Sequence, residues 1–182
     1  RVLVARDAEG DIAQLRYSAS ATIIRINKGL RRRKDKNVFG FNLNPKTGYW
    51  HKEESENGNA AAQPDPDKLP PQRVVPYVED QKNALLLQPA GNWSDVTLAT
   101  VQYALKRGIE SVFQLEESEL LAEPLPSRTT RHGVLFYEAT EGGAGVLARL
   151  VSEADALARV AQAALRLMHL DVPDDLATLR QT

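Results

Sequence analysis

The stretch HGVLFYEATEGGAGVLARL, at residues 132–150, constrains the fold more than any other part of the chain. It opens with a nearly continuous apolar run, which is typical of a strand buried on both faces of a sheet. Three glycines follow, Gly142, Gly143 and Gly145, and a helical apolar pattern begins directly after them. Because glycine reaches positive φ and allows close approach of a ligand or another backbone, the stretch predicts a strand, a tight loop and a helix.

Two interpretations of this glycine loop stay open at the level of sequence. Its free N–H groups precede a helix and could bind an anion such as a phosphate. However, Val146 and Leu147 follow the last glycine where a P-loop has a lysine and a hydroxyl, and the spacing of a dinucleotide-binding motif is absent. A turn that packs the helix against the sheet is therefore favoured over a phosphate site.

Composition divides the chain into a strand-rich part, residues 1–90, and a helix-rich part, residues 91–182. Residues 53–72 contain four prolines and almost no large apolar side chains. Such a segment is typical of an exposed, mobile loop.

A chain of 182 residues is long enough for one core, so we expect a single domain. Because it opens directly on the strand pattern VLVAR without a methionine, we expect it to be a fragment of a larger protein.

Local patterns predict the individual elements. The segment FGFNLNPKTGYW predicts a hairpin with strands at 38–43 and 48–51 and a turn at 44–48, since proline and glycine suit the two ends of such a turn. Ser94 or Asp95 can cap a helix that continues to about Phe113. ELLAEPLPS predicts a short strand that Pro124 and Pro126 stop. The predicted fold class is α+β, with a mostly antiparallel sheet covered on one side by two or three helices.

Positive charge is concentrated near the beginning of the chain. Residues 1–52 contain 12 Lys/Arg and 4 Asp/Glu, a net charge of +8, whereas the whole chain carries −1. Much of it lies in RINKGLRRRKDKN, and such a cluster can bind a nucleic-acid backbone by releasing condensed counterions. Two other interpretations of the cluster, a solvated loop or a patch that faces the acidic half of the same protein, are together given nearly the same weight as nucleic-acid binding.

Aromatic residues next to this cluster suit single strands, because bases stack on aromatic rings. Alternation assigns Phe39 and Phe41 to the core and allows only one of Tyr49 and Trp50 to point outwards. The candidate nucleic-acid contacts are Arg25, Lys28, Arg31, Arg32, Arg33, Lys34, Lys36 and Trp50.

Carboxylates offer a weaker candidate site. Glu116, Glu119 and Glu138 could converge to bind Mg²⁺, as the acids of nucleases do, but no lysine stands in the usual nuclease context. A charged helix terminus is the favoured interpretation. The three histidines show no ligand spacing, and the absence of cysteine excludes disulfides and cysteine zinc sites within these residues. We therefore predict no catalytic residue and no metal ligand here.

Two motifs carry a family resemblance. Gln114, Leu115, Glu116 and Glu119 lie in QLEESEL, and Phe136, Tyr137, Glu138 and the three glycines lie in FYEATEGGAG. With the basic stretch before FGF, they resemble the domain of unknown function at the C-terminus of DEAD/DEAH-box superfamily 2 helicases, including MrfA-type repair helicases and DISARM anti-phage proteins. The resemblance covers residues 20–170, and its second half is the more specific.

The resemblance implies a non-catalytic accessory domain that contacts DNA and supports an ATP-dependent motor, in phage defence or repair. ATP and Mg²⁺ would then belong to motor domains in the same chain or in a partner subunit. Many members carry a zinc-binding cysteine cluster, which we expect after residue 182. Alternatives are a scaffold that joins a helicase to partner subunits, and a metal-dependent nuclease. Without an apolar run of membrane-spanning length or a signal peptide, we expect a cytoplasmic protein with no membrane partner.

Overall fold

The structure is a computed structural model that describes residues 1–29, 33, 35, 37–50, 70–170 and 172. Most of the predicted loop at 53–72 lies outside the described residues. The described elements are β1 (Val2–Arg6), β2 (Asp11–Ile26), β3 (Phe41–Leu43), β4 (Gln72–Val74), β5 (Tyr77–Pro89), α1 (Asp95–Phe113), β6 (Leu120–Pro126), β7 (Arg131–Glu138), α2 (Val146–Ser152) and α3 (Ala156–Leu167). No helix within these ranges is long and apolar enough to cross a membrane.

Contacts divide the chain into two compact units. Unit 1 combines Arg1–Ile23 with Asp80–Thr182, and unit 2 is Ile24–Glu79. Unit 1 holds the three helices and most of a five-stranded sheet, and unit 2 holds the small sheet of β3 and β4. Both boundaries fall inside a strand, since β2 and β5 each extend into both units.

The sheet of unit 1 has the order β1-β2-β5-β7-β6. The pairs β1–β2, β5–β7 and β6–β7 are antiparallel, and Leu85 lies opposite Phe136 in the centre. These two side chains are fully buried in one core together with Leu98 of α1 and Leu147 of α2. The predicted α+β class with a mostly antiparallel sheet is confirmed.

Helix α1 begins where the sequence predicts. Ser94 is its N-cap, and its hydroxyl accepts a hydrogen bond from Thr97 N at 3.0 Å. Asp95 has another role, because its Oδ1 accepts a hydrogen bond from Arg131 N at 2.9 Å, which ties the helix start to β7. Further along, α1 meets α3 at Gly108, where an added β-carbon would lie 2.6 Å from Val160 O. Only glycine allows this approach without a shift of the helices.

The prediction that prolines stop β6 is wrong for Pro124, which lies inside the strand, and right for Pro126, where the strand ends. The strand includes both Pro124 and Pro126, which pair with Val134 and Arg131 of β7. Because β6 is the edge strand of the sheet, the nitrogen of each proline can face away from β7 without costing a ladder hydrogen bond.

In unit 2 the predicted hairpin turn is confirmed. Asn44 N donates to Tyr49 O at 2.9 Å, Gly48 N donates to Asn44 O at 2.8 Å, and the Asn44 side chain accepts from Lys46 N. The expected strand at 48–51, by contrast, is reduced among the described residues to one bridge between Leu43 and Trp50. Strand β3 pairs with β4 instead.

Candidate nucleic-acid interface

The basic segment, which we define as residues 25–36, is described in part. Arg25 and Lys28 are exposed, and Arg33 is half-buried. The other predicted contacts in this segment lie outside the described residues: Arg31, Arg32, Lys34 and Lys36. The described members all belong to unit 2.

Arg33 organises the loop that follows it. Its guanidinium donates hydrogen bonds to Val38 O and, at 2.6 Å, to Gly40 O. Gly40 N in turn donates to Lys28 O at 2.9 Å. Gly40 has φ +84°, and a β-carbon on it would lie 2.9 Å from the carbonyl carbon of Val74 and closer still to its oxygen. The loop is therefore built on a glycine that nothing larger can replace and on an arginine whose donors serve the backbone.

The aromatic side chains of unit 2 are more exposed than alternation predicts. Phe39 is 43% exposed, so its assignment to the core is wrong, and Lys28 Nζ lies 5.1 Å from its ring centroid. The buried residue at this point is Gly40, because the backbone itself packs against β4. Trp50 and Tyr49 are 57% and 77% exposed, and the ring of Trp50 is tilted against that of Phe41 with centroids 5.5 Å apart. Both are exposed because no regular strand forces them onto opposite faces.

The glycine loop encloses a carboxylate of the protein itself. Glu138, at the end of β7, is 2% exposed. Its Oε2 accepts hydrogen bonds from Gly145 N at 3.0 Å and from Asn83 Nδ2 at 3.1 Å, and its Oε1 accepts from Leu147 N at 2.8 Å. The carboxylate therefore satisfies the first free N–H groups of α2, as an anion at a helix N-terminus does.

The three glycines are needed for this arrangement. Gly142, Gly143 and Gly145 have φ values of +77°, +57° and +71°, which L side chains rarely adopt. Asn83 Nδ2 also donates to Gly142 O at 3.1 Å, so one amide binds both the carboxylate and the loop around it. This geometry supports the turn interpretation of the loop, because the position of an external anion is taken by Glu138.

The charge of Glu138 affects a tyrosine on β2, which β5 separates from β7 in the sheet. Burial raises the pKa of Tyr17 on β2, and the negative charge of Glu138 raises it further. On β5, Lys82 is 7% exposed and donates from Nζ to Ala139 O at 2.6 Å, which fixes the backbone directly after Glu138. The start of the glycine loop is thus held by two side chains of β5, Lys82 and Asn83.

The other two acids lie in the turn between α1 and β6. Glu119 Oε2 accepts a hydrogen bond from Glu116 N at 2.7 Å, and both side chains are exposed. Within the described part of the chain, no group of three or more His, Cys, Asp or Glu residues could hold a metal ion. Glu116, Glu119 and Glu138 therefore do not form the carboxylate cluster that the nuclease alternative requires.

Sequence reasoning missed Asn83 and Lys82. Both are polar residues that precede the apolar run ALLL in β5 and are buried. A polar pair inside a buried strand signals that partners exist, because unpaired buried polar groups are costly. The pattern does not tell which residues those partners are.

Comparisons with known proteins agree with the family resemblance. Residues 101–171 match the family model described as MrfA Zn-binding domain. A search of curated proteins finds no match. The solved structure of the DUF1998 helicase MrfA bound to DNA matches 100% of this chain with a TM-score of 0.51 and 12% identity. The chain spans 22% of that helicase's length. The resemblance to a C-terminal helicase-associated domain of the MrfA type is confirmed, and the fold is shared with part of that helicase.

The family name implies zinc, and the residues of this chain do not fit a zinc site. Structural zinc requires about four cysteine or histidine ligands in most proteins. The sequence contains no cysteine and three histidines, and the described residues hold no group of potential ligands. We therefore assign no role to zinc in the chemistry of these residues.

Proposed function

We propose that the chain is a non-catalytic accessory domain of a superfamily 2 DNA helicase or translocase, which contacts nucleic acid and supports the ATP-driven motor. The observation that carries the proposal is the match of residues 101–171 to the MrfA Zn-binding domain family. The shared fold with part of a helicase that was solved with DNA supports it. By the same resemblance, the domain serves in DNA repair or in phage defence.

The basic segment is the proposed contact. Its charge density favours a phosphate backbone, and its described neighbours supply stacking surfaces in the same unit. Trp50 and Tyr49 are largely exposed, and Lys28 lies over Phe39. Because Arg33 holds backbone carbonyls, we assign the phosphate contacts chiefly to Arg31, Arg32 and Lys34.

A salt titration tests this contact. The triple variant Arg31→Gln, Arg32→Gln, Lys34→Gln keeps Arg33 and therefore keeps the loop. Binding of a labelled single-stranded oligonucleotide is measured from low to high salt. At roughly 0.7 units of slope for each phosphate contact on single strands, the triple variant should flatten the plot of log affinity against log salt by about 2 units.

A matched control removes three exposed arginines of unit 1, by Arg6→Gln, Arg16→Gln and Arg166→Gln. The control should keep most of the slope, since the proposed contact depends on position and not on total charge. An equal slope for the triple variant and the wild type would contradict the contact. The alternative of a scaffold that binds protein partners would then be preferred.

A further inference from the structure

A second group of cations lines a groove in unit 1, between α1, β6 and the turn that leads to β7. The groove has a volume of about 340 Å³. Its polar lining includes Gln102, Tyr103, Lys106, Arg107, Arg128 and Arg131. It lies entirely within residues 102–131 and shares no residue with the basic segment.

Two of these cations are neutralised by neighbouring acids. Lys106 Nζ is paired with Glu110 Oε1, and Arg107 Nη1 lies 3.0 Å from Glu110 Oε2. Arg107 also reaches Glu117 Oε1 at 3.4 Å. Among the described residues no ion pair involves Arg128 or Arg131. These two arginines are therefore the cations available to a ligand, although Glu123 on the same lining reduces the local positive charge.

Two residues of the lining, Gln102 and Arg131, each carry a buried polar atom without a partner among the described residues. Gln102 is 5% exposed and donates from Nε2 to Ala122 O at 2.9 Å, but its Oε1 has no hydrogen-bond partner in the described structure. The same holds for Nε of Arg131. Buried polar atoms are rarely left unpaired, but these two are closed to solvent, so a ligand in the groove does not reach them in this conformation.

Tyr103 adds a flat apolar surface beside these groups. It lines the groove and is 64% exposed on α1. A ligand that fits the accessible part of the lining combines an anionic oxygen for Arg128 and Arg131 with a planar ring for Tyr103. One nucleotide of a single strand has both, whereas an acidic peptide has no planar ring at each repeat.

We infer that this groove binds one nucleotide unit of a single-stranded nucleic acid, with the phosphate at Arg128 and Arg131 and the base against Tyr103. The inference deepens the proposed function and rests on it, since it presumes that the chain contacts nucleic acid. It assigns a second site that lies in the other unit from the basic segment.

The test measures binding of a fluorescein-labelled 12-mer of oligothymidine to the 182-residue chain by anisotropy. The double variant Arg128→Gln, Arg131→Gln should lower the salt slope by roughly 0.7 units, because the two arginines share the one phosphate contact of the site. Tyr103→Ala should weaken binding about fivefold or more at every salt concentration, with the slope unchanged, because stacking releases no counterions. Tyr103→Phe should restore binding, since it keeps the ring.

Matched controls separate position from charge and from exposed aromatic area. The double variant Arg6→Gln, Arg16→Gln removes the same charge elsewhere in unit 1. Tyr77→Ala removes a tyrosine of equal exposure, 65% against 64%. Circular dichroism checks that each variant keeps its fold. If the groove variants behave like these controls while the triple variant of the basic segment loses binding, the assignment of the groove as a nucleotide site is contradicted. The proposed function then stays intact.

Two further results would also overturn the assignment. If the wild-type chain binds no oligonucleotide at low salt, both the groove and the proposed nucleic-acid contact fail together. If a polyglutamate peptide binds the wild type and not the Arg128/Arg131 double variant, and Tyr103→Ala has no effect on either ligand, the groove receives an acidic protein segment instead of a nucleotide.

Discussion

The backbone of Gly143 lies directly against the carboxylate of Glu138. A β-carbon added to Gly143 would lie 2.7 Å from the carboxyl carbon of Glu138 and closer still to its Oε2. The carboxylate is itself fixed by hydrogen bonds from Asn83, Gly145 and Leu147, so it has no room to retreat. The glycine and the acid therefore constrain one another.

The substitution Gly143→Ala should destabilise the protein by about 2–5 kcal/mol, as the combined cost of a left-handed alanine and of overpacking. Gly142→Ala is the matched control, because Gly142 also has a positive φ but an added β-carbon would meet nothing within 4 Å. It should lose only about 1–2 kcal/mol. Urea unfolding measures both, and equal losses would show that the carboxylate does not occupy the position described.

The substitution Glu138→Gln keeps the shape of the side chain and replaces one acceptor oxygen with an NH₂ group. One of the N–H groups at the start of α2 then faces another donor, so we expect a loss of about 1–3 kcal/mol in the free energy of unfolding. The exposed Glu141→Gln, three residues later, should change stability by less than about 0.5 kcal/mol. A neutral Glu138→Gln would contradict the capping role.

Stability at high pH should depend on Tyr17. Its pKa is raised in the folded protein, by burial and then by Glu138, so the folded state holds the proton more tightly than the unfolded state does. The contribution of Tyr17 is therefore constant below about pH 10, the ordinary tyrosine pKa, and is lost as the pH rises through the folded value.

Urea unfolding at pH 9 and pH 11 tests this dependence. The substitution Tyr17→Phe should reduce the decrease in the free energy of unfolding between pH 9 and pH 11. The substitution Tyr77→Phe, at an exposed tyrosine, should not. If the two variants lose equal amounts, the raised pKa of Tyr17 is not coupled to folding.

The substitution Gly108→Ala should disturb the packing of α1 against α3. Alanine is the better helix former by about 1 kcal/mol, so Gly108→Ala would stabilise an isolated helix. In the folded protein its β-carbon would lie 2.6 Å from Val160 O, which is backbone and cannot rotate away. We expect a net loss of about 1–3 kcal/mol. Gly91→Ala, where nothing lies within 4 Å, should be close to neutral, and a stabilised Gly108→Ala would mean that α1 and α3 are further apart.

The nuclease alternative gives a negative prediction. Because Glu116 and Glu119 bond within one exposed turn and Glu138 is enclosed by the glycine loop, we expect no cleavage of single- or double-stranded DNA with Mg²⁺ or Mn²⁺. Gel assays of the chain check this. Cleavage that disappears in Glu116→Gln, with an intact fold, would reverse the conclusion.

Local patterns were sufficient for most elements of the fold. The cap at Ser94, the turn at Asn44 and the strand before the glycines each depend on residues within a few positions, and all three were predicted. The effect of Pro124 was misjudged because it depends on whether the strand is central or at an edge. That property belongs to the sheet and not to the segment.

The candidate site was harder to predict because its partners are distant in the chain. Asn83 bonds a carboxylate 55 residues away, and the sequence shows only that both residues are polar. Arg33 was predicted as one cation among several, whereas its guanidinium serves the carbonyls of its own loop. Charge density alone does not distinguish a cation that binds a ligand from one that binds backbone.

The prolines of β6 have a consequence for assembly. An open sheet edge can recruit a strand from another chain through its unpaired N–H groups. Pro124 and Pro126 remove two of those donors from the outer side of β6, within the last three residues of a seven-residue strand. Strand addition is therefore disfavoured along this rim. A partner protein that approaches here must be recognised by side chains, whose identity can change during evolution without altering the sheet.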